Sequence, residues 1–151
     1  MINPKWVMKS PPITTHLSNE IASILRNTTG EHLVGERISI LPLAENGIIL
    51  LLENEIILGA LLWMKINPKT ARILGFGIHT QLQGNGLGSE CWDIFLKEII
   101  RQEMNKITLE VRQSNTRAIN FYRKKGLTPK GWIEDYYLHE KGILMELSNL
   151  N

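Results

Sequence analysis

Cysteine is almost absent: Cys91 stands alone among 151 residues. One thiol excludes an internal disulfide and, beside only four histidines, argues against a Cys-rich metal site. No run of about 18 apolar residues occurs, so no segment reads as a membrane span. The apolar run after Lys5 is too short and too interrupted for a secretory signal, which leaves a cytoplasmic enzyme as the expectation. Excess charge is lacking too. The formal net charge of +2 is too small to argue for nucleic acid or an acidic membrane surface as a partner. Repeats, linkers and low-complexity tracts are also missing. What is present, 43% hydrophobic and 21% charged residues, is ordinary for a soluble globular protein. At 151 residues the chain reads as one domain, 1–151, large enough for a single core.

Lys5-Trp6-Val7-Met8 suggests a short first strand, stopped by Pro11-Pro12. Thr14 or Thr15 caps a helix in which Leu17, Ile21, Ile24 and Leu25 recur at helical spacing to Arg26. Thr28-Thr29-Gly30 ends it. Residues 31–46 carry apolar clusters, Leu33-Val34 and Ile38 to Leu41, that fit helix or strand equally, and Pro42 breaks either. Ile48 to Leu52 and Ile56 to Lys65 read as a hairpin across Glu53-Asn54-Glu55. Asn67 to Thr70 turns into a further strand, Arg72 to Ile78. A helix runs on to about Met104, and Lys106 to Val111 alternates as a strand. Asn115 to Lys125 is helical and stopped by Gly126. Gly131 to Leu138 and Ile143 to Leu147 close the chain as a hairpin across Glu140-Lys141-Gly142. This order predicts an α+β domain, layered, with a mixed and mostly antiparallel sheet and helices on its faces.

The most informative stretch is Gln83-Gly84-Asn85-Gly86-Leu87-Gly88-Ser89, set between a strand and a helix. Three alternate glycines remove side chains and let the backbone curl around a bulky group. The first amides of a helix lack intrahelical partners and carry the positive end of its dipole, so they suit phosphate oxygens. The plainer reading is a Gly-rich turn that merely caps a helix. A Walker-type loop needs Lys where Ser89 stands, and a dinucleotide fingerprint counted from Gly84 needs Gly or Ala there. The spacing Gln83-x-x-Gly86-x-Gly88 instead resembles the Gln/Arg-x-x-Gly-x-Gly/Ala pyrophosphate loop of the GNAT acetyltransferases, acetyl-CoA-dependent N-acetyltransferases. Its lead-in, Ile78 to Gly84, sits where that family has its fourth strand and exit turn. A second segment, Leu109-Glu110-Val111 with Asn115, Ala118, Tyr122 and Gly126-Leu127, resembles the family's Leu-Glu-Val-x-x-x-Asn-x-x-Ala-x-x-x-Tyr-x-x-x-Gly-Phe, Leu127 replacing Phe. The match is nearest to the ribosomal-protein and N-terminal acetyltransferase branch, which also tends to show the pair seen here as Tyr136-Tyr137.

The resemblance spans roughly Ile48 to Leu147. It implies splayed central strands and direct transfer of an acetyl group from acetyl-CoA to a primary amine of a small molecule or of a protein or peptide N-terminus. It implies that Gln83, Gly84, Asn85, Gly86, Leu87, Gly88 and Ser89 hold the diphosphate and that Phe76, Gly77 and Ile78 flank the pantetheine arm. A backbone N–H at the splay would polarise the thioester carbonyl. Asn115 matches the residue that bonds the pantetheine arm. Tyr122 matches the general acid for the leaving thiolate; packing beside Phe121 is its plainer role. No metal is implied, and a second copy of the chain is an allowed partner.

The base is harder to read. Many members carry a Glu on the fourth strand, and Arg72 to Ile78 has none. Glu110 matches the acidic position of the ribosomal-protein branch, or it is a strand-end carboxylate paired with Arg112 or a Lys. His79 and water are alternatives. Cys91, in the first turn of a helix where a thiolate is stabilised, offers a covalent route or is simply core. Arg123, Lys124 and Lys125 reach an adenosine 3′-phosphate or form a solvated helix end. Two other classes compete: an acyl-CoA-binding regulatory domain without catalysis, and a nucleotide-binding module using the same glycines. Intact Tyr122 and Asn115 argue against the first, and ADP or NAD binding without CoA binding would favour the second.

Overall fold

A computed structural model of the chain describes residues 3–30, 34–137 and 140–150, with 135–137 described by backbone alone. The elements are β1 (Lys5–Lys9), α1 (Thr15–Thr29), α2 (Gly35–Ile40), β2 (Ile48–Glu53), β3 (Ile56–Asn67), β4 (Thr70–Ile78), α3 (Leu87–Arg101), β5 (Lys106–Arg112), α4 (Thr116–Lys124), β6 (Thr128–Tyr137) and β7 (Glu140–Ser148). Seven strands make one sheet in the order β1-β2-β3-β4-β5-β7-β6. Every neighbouring pair is antiparallel except β4–β5, which is parallel.

Side-chain alternation places a core on each face. Along β2, Ile48 and Leu50 point to one side and Ile49 to the other, the period of two that a strand imposes. The first side packs beneath α1 and α2 through Ile21, Leu25 and Ile38. The second packs beneath α3 and α4 around Trp63, Trp92, Phe95 and Tyr122. Each of the fully buried Leu and Ile side chains contributes about 1.5–3 kcal/mol, so both helical layers are firmly held.

One irregularity decides where the site forms. Leu62 pairs with Gly75 and Trp63 with Ile73, so Leu74 has no partner on β3. That extra residue is a β-bulge, which bends the strand that carries it. The parallel β4–β5 ladder runs from Thr70↔Lys106 to Ile73↔Leu109 and stops at the same point. Beyond it β5 stays with β7 as far as Arg112↔Gly142, while β4 stays with β3 as far as Ile78↔Gly59. The sheet therefore forks.

The expected mixed sheet, helices on both faces and splayed centre are all present. One segment that fits helix or strand equally is resolved, and one detail differs from the sequence reading. Within residues 34–46 lies the short helix α2; residues 31–33 fall outside the described residues. Glu140-Lys141-Gly142 is strand rather than turn. Gln113 N donates to Lys141 O (3.1 Å), and Ser114 N and Oγ donate to Glu140 Oε1 (3.1 and 2.8 Å), extending the β5–β7 ladder through these residues. Leu138 and His139, also read there as strand and hairpin loop, lie outside the described residues.

Candidate active site

The fork is walled on one side by the end of α1. Thr14 Oγ1 caps this helix by accepting from Leu17 N (3.1 Å), and Gly30 ends it in the left-handed region (φ 74°). Its last turn lies directly on β4 because Gly75 and Gly77 have no side chains. A Cβ at Gly75 would stand 3.0 Å from Leu25 Cδ1, and one at Gly77 would collide with the Thr28 hydroxyl. Thr28 and Thr29 turn their hydroxyls back to Ile24 O and Leu25 O (2.6 Å each) and line the fork.

The glycine loop follows β4 through a short 3-10 turn, Thr80–Leu82. His79 Nδ1 accepts from Gln81 N (3.2 Å), so His79 caps this turn, and it does not line the cavity described below. Gln83 Nε2 donates to Ile78 O (2.9 Å), fastening the loop to the strand end. Asn85 Nδ2 donates to Leu82 O (3.2 Å), and Asn85 is not among the residues that line the cavity described below. Gly84 and Gly86 adopt φ of 83° and 80°, where a side chain is strained. Gly88 differs: its φ is ordinary, and a Cβ there would stand 3.3 Å from the Phe121 ring, a tight contact. From below, Trp6 Nε1 donates to Leu87 O (3.1 Å) and supports the first turn of α3.

That first turn has no side-chain cap, because its cap residue is Gly86. Its early amides accordingly face the loop side with no internal partner. In α4, by contrast, Asn115 Oδ1 accepts from Ala118 N (3.2 Å) and closes the helix start.

A cavity of about 360 Å³ opens here, lined by Thr28, Thr29, Phe76, Gly77, Ile78, the loop, Asn115, Arg117, Ala118, Phe121 and Tyr122. A second, of about 30 Å³, lies in the fork between Ile73–Phe76 and Leu109–Arg112. Thr29, Phe76, Asn115, Ala118 and Tyr122 belong to both. Tyr122 is 7% exposed, its ring 5.5 Å from Phe121 and 6.0 Å from Trp92. Of the residues singled out in the sequence, Gln83, Gly84, Gly86, Leu87, Gly88, Ser89, Phe76, Gly77, Ile78, Asn115 and Tyr122 come together on the large cavity.

Glu110 lines only the small one. Arg72 Nε donates to its Oε2 (3.1 Å), a partner on β4 that the sequence reading did not name. Arg112 instead donates to Gly30 O (2.8 Å), crossing from β5 to the end of α1, and stands 3.9 Å from Glu140. The Ser114 hydroxyl and amide hold the Glu140 carboxyl below its usual range. Cys91 is fully buried in the core, and burial pushes its thiol away from ionisation, which removes the covalent route. Arg123 and Lys124 are exposed; Lys125 Nζ donates to Ser89 Oγ (2.9 Å). The Tyr136 and Tyr137 side chains lie outside what is described. Sequence reasoning missed Arg72, Thr28, Thr29 and Arg117. Only Arg117, two residues past Asn115 at the start of a helix flanking the loop, carried a local signal.

Among the described residues no cluster of three or more His, Cys, Asp or Glu forms a metal site, and no helix is long and apolar enough to cross a membrane. Known folds resemble this one closely. Ard1 from Thermoplasma volcanium superposes with a TM-score of 0.86 at 21% identity, over 98% of this chain and 99% of that one. The ribosomal-protein-S18-alanine N-acetyltransferase of Escherichia coli gives 0.80 at 17%, over 97% and 94%. Arabidopsis thaliana Naa50, in complex with the bisubstrate analogue CoA-Ac-MVNAL, gives 0.60 at 27%, over 67% and 72%. Among curated protein sequences none matches. The sequence model of the acetyltransferase (GNAT) family matches residues 17–127, from α1 past the end of α4, and the chain belongs to that family: it is an acetyl-CoA-dependent acetyltransferase.

Proposed function

We propose that this protein moves an acetyl group from acetyl-CoA directly onto a primary amine, of a small molecule or of a protein or peptide N-terminus. The whole chain, residues 1–151, acts as one catalytic domain in the cytoplasm. The observation that carries the reading is the shared wall: a large cavity at the glycine loop and a small one in the fork have Phe76, Asn115 and Tyr122 in common. A donor entering from the loop and an amine entering from the fork would meet at Tyr122.

In this reading the amides of Gln83 to Ser89 take the diphosphate, helped by the uncapped start of α3. The backbone of Phe76, Gly77 and Ile78, past the point where β5 leaves, takes the pantetheine arm and polarises the thioester carbonyl. Asn115 has its oxygen engaged by Ala118 N, so its NH₂ is the group turned to the donor. The neutral amine attacks the thioester carbon; the C–N bond forms, the C–S bond breaks, and Tyr122 gives its phenolic proton to the departing sulfur. A phenol of pKa ~10 can do this in a site shut off from water. The proton lost by the amine goes to Glu110, directly or through water.

The named relatives that acetylate a protein or carry a peptide-bearing analogue support an α-amine acceptor. Chemistry agrees, because an α-amine of pKa ~7.7–8.0 needs less help from a base than a lysine near ~10.4. One observation favours a domain that binds acyl-CoA without catalysis: the Arg72 bond already occupies one oxygen of Glu110. A screen of amines, polyamines, amino acids and N-terminal peptides with acetyl-CoA decides. Product from any of these establishes transfer; donor binding with no product from all of them turns the reading to the binding domain.

A further inference from the structure

The two strands of the fork separate beside an ion pair. The parallel ladder ends at Ile73↔Leu109, and the next residue on β5 is Glu110. Arg72 stands on β4 one residue before that end, opposite Thr108. Its neighbours Ala71 and Ile73 face the core beneath α3 and α4, as do Leu109 and Val111 on either side of Glu110. By the two-residue period of a strand, Arg72 and Glu110 both point to the α1 side. There Arg72 Nε reaches diagonally across to Glu110 Oε2 (3.1 Å), and both side chains are half-buried. A side-chain bridge thus takes over where backbone pairing stops.

The charges around this pair have partners of their own. Lys106 Nζ stands 3.5 Å from Glu146, and Arg112 donates to Gly30 O (2.8 Å) and stands 3.9 Å from Glu140. Glu110 lines the small cavity, and Arg72 reaches that cavity only through Glu110. An ion pair with access to solvent adds little to stability. A guanidinium bond to a carboxylate is nevertheless strongly directional, so it fixes where the carboxylate points.

We propose that Arg72 is a positioning residue for the reaction, aiming Glu110 into the fork as the group that takes the proton of the amine. This rests on the reading of Glu110 as the base. With Nε engaging Oε2, Oε1 is the oxygen left for the proton. As the C–N bond forms and the C–S bond breaks, the amine nitrogen releases its proton to Oε1, directly or through water, while Tyr122 protonates the sulfur. The Arg72 bond prepares the base rather than blocking it. Misplacing a reacting group by about 1 Å can cost on the order of a hundredfold in rate.

A double-variant cycle tests this, run with acetyl-CoA and each amine of the screen above. Steady-state rates are measured for wild type, Arg72→Met, Arg72→Lys, Glu110→Gln and Arg72→Met combined with Glu110→Gln. Arg72→Met should lower kcat by roughly ten- to a hundredfold, with acetyl-CoA affinity by calorimetry within about twofold. Arg72→Lys keeps the charge without the fixed fork of donors and should recover only part of the rate. In the Glu110→Gln background, Arg72→Met should cost less than about twofold more, because its effect runs through Glu110. A brace that only holds the strands would lower kcat by the same factor in both backgrounds. That equal factor overturns the proposal, and so does wild-type kcat in Arg72→Met when Glu110→Gln is slow. Wild-type kcat in Glu110→Gln removes the base reading itself, and no product from any amine removes both. Should circular dichroism show Arg72→Met unfolded, Arg72→Gln takes its place in the cycle.

Discussion

The two ends of α3 are built on opposite principles. Its first turn begins at Gly86, carries no side-chain cap, and abuts the open fork of the sheet. Its last turns are over-provided. Glu98, 5% exposed, accepts from Asn46 Nδ2 (3.1 Å), Arg101 Nε and Nη2 (3.0 and 2.6 Å) and Gln102 Nε2 (2.6 Å). A carboxylate near a helix C-terminus is disfavoured by the dipole, so it persists there because donors surround it. The same helix thus has its buried carboxylate surrounded by donors where it holds the fold, and an uncapped start where a ligand is expected. Local rules are broken where function needs the free groups.

The comparison breaks first, and most severely, at Gly86. Gly86→Glu puts a side chain at φ 80° and a negative charge at the helix start. Acetyl-CoA binding should be abolished, as read by calorimetry on a variant whose circular dichroism is unchanged. A folded variant with wild-type affinity would show that the uncapped end has no donor to hold.

At Tyr122 the expected loss is in rate. Tyr122→Phe keeps the ring against Trp92 and Phe121 and removes the hydroxyl. Turnover should fall by roughly 10²–10⁴, typical of a lost general acid, with donor affinity within a few-fold. That split marks an interaction made mainly in the transition state. Equal turnover in variant and wild type would leave Tyr122 as packing.

Most of the frame was legible because it rests on local chemistry. The strands show apolar runs with turn residues between them, and α1 shows its Thr14 and Gly30 ends directly. The glycine loop could be placed because its glycines are spaced as a motif, two of them at positive φ and the third against the Phe121 ring. Residues 34–46 were not legible. The helix α2 has six residues and starts from Val34 without a side-chain cap, so neither period nor cap betrays it. Nor was the partner of Glu110 legible: Arg72 reaches it only because β4 and β5 run parallel, 38 residues apart in sequence. The closeness of Thr28 and Thr29 to the site depends on glycines in another element.

Gly77 tests that last dependence. Gly77→Ala forces its Cβ onto the Thr28 hydroxyl, which is tied to Ile24 O. A stability loss of about 1–3 kcal/mol in urea denaturation is expected, the cost of overpacking. Adding Thr28→Ala should recover part of it, since the two changes share one contact. No recovery would mean that α1 and β4 are not held apart by this pair.

The smallest effect belongs to the satisfied end. The bonds from Arg101, followed by those from Gln102 and Asn46, hold the Glu98 carboxyl down at about 2, against an ordinary value of 4.5. A carboxyl depressed by folding adds stability above its unfolded pKa, and that stability is lost as pH falls through the folded one. Glu98 should therefore steepen acid destabilisation between about pH 4.5 and pH 2. Glu98→Gln keeps the shape and some of the bonds, and should cost about 1 kcal/mol at neutral pH. The stability difference between variant and wild type should shrink towards pH 2, while acetyl-CoA affinity at pH 7 stays the same. A constant difference across that range would mean that the Glu98 charge contributes nothing to folding. A change in affinity would mean that the two ends of α3 are not independent, and the contrast between them would fail.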